Sequence, residues 1–247
     1  MTRRRRISPI GLLLLVLAVG LVVVLLPRLQ PDIAGDLPRP TAPVQGQTLT
    51  PPAGGGTALA VLATLPVRAK APFGGYDRVA DFGEAWLDAD GNGCDTRNDV
   101  LRRDLRAVRT SACKVLQGTL TDPYTGRTIA FRRGATTSDR VQIDHVVALA
   151  DAWRTGAQRL SPAQRERLAN DPITLFAVDG PTNQDKGDAD ASAWLPPNPA
   201  FRCTYVAHQV AVKAAYELWF TPAERSAMSA VLQTCPTSTA PRSELAG

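Results

Sequence analysis

Arg140-Val141-Gln142-Ile143-Asp144-His145-Val146-Val147 and Thr174-Leu175-Phe176-Ala177-Val178 are the two stretches of this chain that read as extended backbone. Both are short and rich in β-branched or aromatic residues, and the second is closed by the turn signal Asp179-Gly180-Pro181. Around them the pattern is helical. Val79, Phe82 and Trp86 recur at i, i+3 and i+7, and Leu101, Leu105 and Val108 at i, i+4 and i+7. Ser161-Pro162-Ala163-Gln164 and Thr221-Pro222-Ala223-Glu224 are capping boxes with proline in the first helical position, so a helix should start at each. Met228, Val231, Leu232 and Cys235 then form one apolar face, and Val206, Val210, Ala214 and Leu218 form another. The 29-residue gap between His145 and Thr174 reads as a helical excursion over about 148–172. The expected fold class is α+β, a short strand pair embedded in helices.

The N-terminus has a different character. Arg3 to Arg6 precede an uncharged apolar run from Ile10 to Leu26, 17 residues long and at the lower limit for a membrane span. No A-x-A tripeptide follows Leu26, so residues 1–27 are read as an uncleaved signal anchor, with a cleavable signal peptide as the alternative. The arginines should stay cytoplasmic and the rest lie outside. Residues 28–57 read as a Pro/Gly-rich linker, 58–236 as the folded domain and 237–247 as a flexible tail. The net charge of +5 comes mostly from the arginine block; without it 24 basic residues face 23 acidic ones. Net charge therefore gives no argument for a polyanionic partner, although ten basic and four acidic residues fall between 97 and 140. Arg102, Arg106 and Arg109 would line one helical face there, as a solvated surface or a phosphate-tracking groove.

Four cysteines, none in C-x-x-C spacing, point to two disulfides in an oxidising compartment. Of the three possible pairings we prefer Cys94–Cys113 and Cys203–Cys235, because each encloses a local helical segment. Each loop should contribute about 3 to 4 kcal/mol in the chain-entropy treatment.

The chemistry gathers around one of only two histidines. His145 follows Asp144 at the end of the first extended stretch, and Asn183-Gln184-Asp185-Lys186 follows the second. A strand, a return and a helix would bring Asp144, His145 and Asn183 together. Phosphodiester cleavage needs a base for the attacking water and a cation for the developing negative charge. His145 has a suitable intrinsic pKa. Asp144 and Asn183 offer oxygen ligands for a hard ion such as Mg²⁺, or Mn²⁺, and Lys186 a contact to phosphate.

Gln142 to Trp153, Ala169-Asn170-Asp171-Pro172 and Ala177 to Lys186 together resemble the HNH (His-Me finger) endonucleases. They are similar in particular to a branch found in secreted actinobacterial proteins and at the C-terminus of GmrSD restriction enzymes. The similarity extends through Trp86 to Asn98, Pro123-Tyr124-Thr125-Gly126 and Trp194-Leu195-Pro196-Pro197-Asn198. The resemblance implies a ββα-metal core, His145 as general base, Asp144 and Asn183 as metal ligands and Lys186 as a supporting cation. It implies DNA, with RNA as a second polymer, as partner, and no obligate protein partner is evident. The central Asn of the HNH pattern would fall at Thr174, which ties its loop and orients the base less well.

Asp88-Ala89-Asp90-Gly91-Asn92-Gly93, with Asp99 in the twelfth position, matches an EF-hand formula. Asp95 and Cys94 fit that formula poorly, so a loop capping the next helix is preferred to a Ca²⁺ site. From this loop Arg97 is expected to reach substrate, whereas His208 reads as an ordinary packed histidine. Two readings compete with the enzyme: an inactive HNH scaffold used for binding, and a Ca²⁺-dependent surface module.

Overall fold

The computed structural model describes residues 56–246. The segment Ile10 to Leu26, read as a membrane anchor, lies outside them. Among the described residues no helix is long and apolar enough to cross a membrane.

Helix α1 (Ala58–Thr64) and the short α2 (Arg78–Phe82) lead into α3 (Thr96–Asp104), then β1 (Leu105–Ser111), β2 (Lys114–Thr121) and β3 (Thr128–Arg132). After β4 (Val141–His145) come α4 (Leu149–Arg154) and α5 (Pro162–Asn170), then β5 (Leu175–Asp179) and α6 (Gly180–Lys186), and finally α7 (Arg202–Ala215) and α8 (Pro222–Gln233). The class is mixed α and β. The expected strands are β4 and β5, which pair with each other. The segment between them is helical as expected, and Ser161 and Thr221 each complete a reciprocal capping box.

Sequence reading missed a three-stranded antiparallel meander, β1-β2-β3. The helix expected to carry Leu101, Leu105 and Val108 stops at Asp104, and Arg106 and Arg109 lie on β1 rather than on a helical face with Arg102. The spacing misled because β1 is irregular. Its register with β2 shifts between Arg106 and Arg109, where Ala107 takes a φ of 49°, so its apolar residues do not alternate. In β2, Val115 and Leu120 are both buried although they differ in parity, which also hides the period of two. Only β3 kept a clean signal, with Ile129 and Phe131 buried between exposed neighbours. Val79, Phe82 and Trp86 do not share a helix. The helix of the first two ends at Gly83, whose φ of 78° breaks it, and Val79 is half exposed.

Two apolar clusters share the core. One packs α1, α4, α5, α7 and α8 around Tyr205, Val206, Val210, Met228 and Leu232. The other packs α3 and the meander against Val141, Ile143, Leu175 and Ala177 of the β4–β5 ribbon. The disulfides form as preferred, Cys94–Cys113 and Cys203–Cys235. The first encloses α3 together with β1, so its loop is not wholly helical. The second ties α7 to α8. The last residues, expected to be loose, are docked: Ala58 N donates to Ser238 O at 2.7 Å, and Ser243 donates its hydroxyl to buried Asp171.

Candidate functional site

The β4–β5 register places Val141 opposite Asp179, Ile143 opposite Ala177 and His145 opposite Leu175. Side chains alternate along a strand, so Asp144 and His145 leave the ribbon on opposite faces. Gln142 and Asp144 meet α6, whereas His145 meets the loop before α3 and the end of α5.

Helix α6 starts immediately after β5 and is tightly seated. A Cβ on Gly180 would lie 2.0 Å from Asp139 O, so only glycine lets the helix begin there. One helical turn of about 5.4 Å nearly matches two strand residues of about 6.6 Å. That match sets the pairing. Asn183 Nδ2 donates to Gln142 Oε1 at 2.9 Å, and Lys186 Nζ donates to Asp144 Oδ1 at 2.9 Å. Lys186 also donates to His145 O at 2.9 Å and is fully buried. The second oxygen of Asp144 accepts from the Tyr124 hydroxyl. Burial, with the Asp144 charge beside it, holds the Tyr124 phenol well above its usual pKa, so it donates.

On the other face His145 is nearly buried. Its Nε2 lies 2.9 Å from Ala169 O. A carbonyl only accepts, so Nε2 carries the proton and Nδ1 of the neutral ring has a bare lone pair. Burial, then the charges of Arg78 and Lys186, push the His145 pKa down to about 3 against the pull of that carbonyl. The Trp86 indole stacks on the imidazole at 6.0 Å and 15°. Trp86 holds a φ of 66°, a left-handed conformation that costs a non-glycine residue about 1–2 kcal/mol. A cavity of about 40 Å³ opens beside this ring, lined by Arg78, Glu84, Trp86, His145 and Asn170 among others.

The structure therefore brings Asp144, His145, Asn183 and Lys186 into one ββα unit, but in different roles from those expected. Lys186 does not face solvent, because its ammonium is buried against Asp144. Asp144 and Asn183 do not form an open ligand pair. Both Asp144 oxygens have donors, one of them an ammonium, and as arranged these residues do not fit a divalent ion. Among the described residues no three His, Cys, Asp or Glu side chains gather to hold a metal. Arg97 donates to Val141 O at 3.2 Å, at the end of β4 away from His145. The Asp88 loop is closed by its own backbone: Asn92 N and Gly93 N donate to Asp88, and Asp95 caps α3. Thr174 is buried; its carbonyl accepts from Val146 N at 2.8 Å, tying the loop after β4, while its hydroxyl has no partner. His208 packs on α7, with Nδ1 2.8 Å from Ile173 O.

Sequence reasoning missed Tyr124, the Ala169 carbonyl, Arg78 and the stacking of Trp86. Tyr124 and Trp86 sit in stretches that carried the resemblance, but their partners are 20 and 59 residues away and only the fold supplies them.

Residues 95–231 match the family described as GmrSD restriction endonucleases, C-terminal domain. The chain belongs to this family. It is also 39% identical over 182 residues to an uncharacterized secreted protein of Arthroderma benhamiae, covering 72% of this chain and 85% of that one. No solved structure matches it. Within the GmrSD C-terminal family segment lie His145, Asp144, Tyr124, Asn183 and Lys186, and also both strands of the ribbon; Arg78 and Trp86 precede it.

Proposed function

We propose that this chain is an extracytoplasmic nuclease that hydrolyses phosphodiester bonds in DNA, with His145 as general base. The observation that carries the reading is the Nε2 contact to Ala169 O, which leaves Nδ1 as a proton acceptor on a cavity wall. The family supports a nuclease-related role, and the two disulfides and the secreted relative support an extracellular setting. In the reaction, water attacks phosphorus as His145 Nδ1 takes one of its protons. The bond to the leaving sugar oxygen breaks with its electron pair, and that oxygen is protonated from solvent. The imidazolium then returns its proton to water.

The order β4, β5, α6 supports a ββα core in layout. Its expected ion is another matter, because Asp144 already serves Lys186 and Tyr124, and no step above runs through a metal. The test is digestion of plasmid DNA, and of RNA in parallel, by the full chain with and without EDTA. Nicked or linear product is expected. Activity removed by EDTA and restored by Mg²⁺ or Mn²⁺ makes the cleavage dependent on a divalent ion. Absence of cleavage under every condition contradicts the nuclease reading and leaves a binding scaffold.

A further inference from the structure

A phosphodiester in the His145 cavity needs a cation, and neither of the two nominated from sequence is there. Lys186 is buried against Asp144, and Arg97 is bonded to the far end of β4. Arg78 does line the cavity. It opens α2, is exposed, and has no hydrogen-bond or ion-pair partner among the described residues. The acids next to it in sequence are engaged by backbone: Asp77 caps α2 through Val79 N and Ala80 N, and Asp81 accepts from Asp77 N. The guanidinium is close enough to be the largest charge effect on His145.

The polar end of Asn170, by contrast, is shut away from the cavity. Asn170 is 3% exposed, its Nδ2 is fixed to Glu166 O at 2.9 Å, and its Oδ1 is buried with no donor. The cavity thus presents one free donor fork, Arg78, and one free acceptor, His145 Nδ1, whereas Asn170 Oδ1 is closed off from water. Its 40 Å³ holds a water or two and admits a phosphate oxygen, but not a base. A water donates to a bare ring nitrogen, and a phosphate oxygen accepts from a guanidinium.

We propose that Arg78 binds the scissile phosphate through a non-bridging oxygen, while His145 Nδ1 accepts a proton of the attacking water. This rests on the nuclease reading for its catalytic half only. Glu84, the acid that lines the same cavity, opposes the phosphate and weakens its binding.

The experiment measures binding of a fluorescein-labelled DNA oligonucleotide by anisotropy, using the full chain carrying His145→Ala so that no cleavage intervenes. Adding Arg78→Ala should weaken binding roughly 10- to 100-fold, as for loss of a charged hydrogen bond. It should also reduce the slope of log affinity against log salt by about one phosphate contact. Arg78→Lys should recover part of the affinity, and Glu84→Gln should increase it. Binding by the Arg78→Ala chain within twofold of its parent, or no binding by the parent, overturns the proposal. A chain that cleaves nothing yet loses binding with Arg78→Ala sinks the nuclease reading and keeps the phosphate site. One that cleaves equally well without Arg78 sinks this proposal alone.

Discussion

Replacing His145 with alanine should reduce phosphodiester cleavage by about 10²- to 10⁴-fold, the usual contribution of a positioned general base. His208→Ala should leave the rate near wild type, because that imidazole packs against Phe176 and is held by Ile173 O. The two histidines are thus each other's control. Asp144→Ala should fail differently. It strands a fully buried ammonium, and breaking such a pair costs about 3–5 kcal/mol, so the loss should appear in thermal stability as well as in rate. A pH signature separates the roles further. The folded-state pKa of His145 lies below its ordinary 6.5, so its contribution to stability is fully present above about 6.5 and is lost as pH falls toward 3. His145→Ala should flatten the fall in stability over that window, measured as melting temperature against pH. An unchanged cleavage rate in His145→Ala would remove His145 from the chemistry.

The largest effect on folding is expected at Lys213. This residue is fully buried in α7, with Nζ 2.6 Å from Glu224 Oε1, 3.3 Å from Asp151 Oδ2 and 3.2 Å from Trp219 O. Lys70 extends the network, 2.7 Å from Asp151 and 2.8 Å from Asp190. The ammonium therefore joins α7, α8 and α4. Lys213→Met leaves two buried carboxylates short of a counter-charge, and about 3–5 kcal/mol should be lost, a large part of a typical total of 5–15 kcal/mol. Burial raises Glu224 from 4.5 to about 7 despite Lys213. With a folded-state value above the unfolded one, the contribution of Glu224 is fully present below about pH 4.5 and declines as pH rises through about 7. The deficit of Lys213→Met should accordingly shrink toward pH 4.5, where Glu224 takes up a proton. Adding Glu224→Gln should cost less than the sum of the single changes. Denaturant unfolding at pH 7 and pH 5 reads both effects, and a loss under about 1 kcal/mol at pH 7 would contradict the assignment.

Features of this fold were legible in the sequence where their signal was local. The β4 and β5 strands, the two capping boxes and the disulfide pairs were legible because composition, turn chemistry and loop length act over short spans. The meander was not, since β1 carries a bulge and the buried positions of β2 change parity. The residue set of the site was also legible, but its roles were not. Asp144 and His145 are neighbours in sequence, and strand geometry sends them to opposite faces, which a reading of the pair as one cluster overlooks. Lys186 looked like a surface cation because lysine usually is one. Only the match of a helical turn to two strand residues shows that it is drawn onto Asp144. Arg78 carried no motif at all, and its place emerges from the cavity.

The nuclease reading requires His145 to be neutral, with its proton on Nε2 and Nδ1 bare. Nitrogen-15 NMR of imidazole-labelled protein, with His145→Ala to assign the signals, tests it directly. Two neutral rings of opposite tautomer are expected at pH 7: His145 protonated on Nε2 by its contact to Ala169 O, and His208 on Nδ1 by its contact to Ile173 O. His145 should stay neutral well below pH 6. A proton on Nδ1 of His145, or titration of that ring near 6.5, would contradict its role as the base.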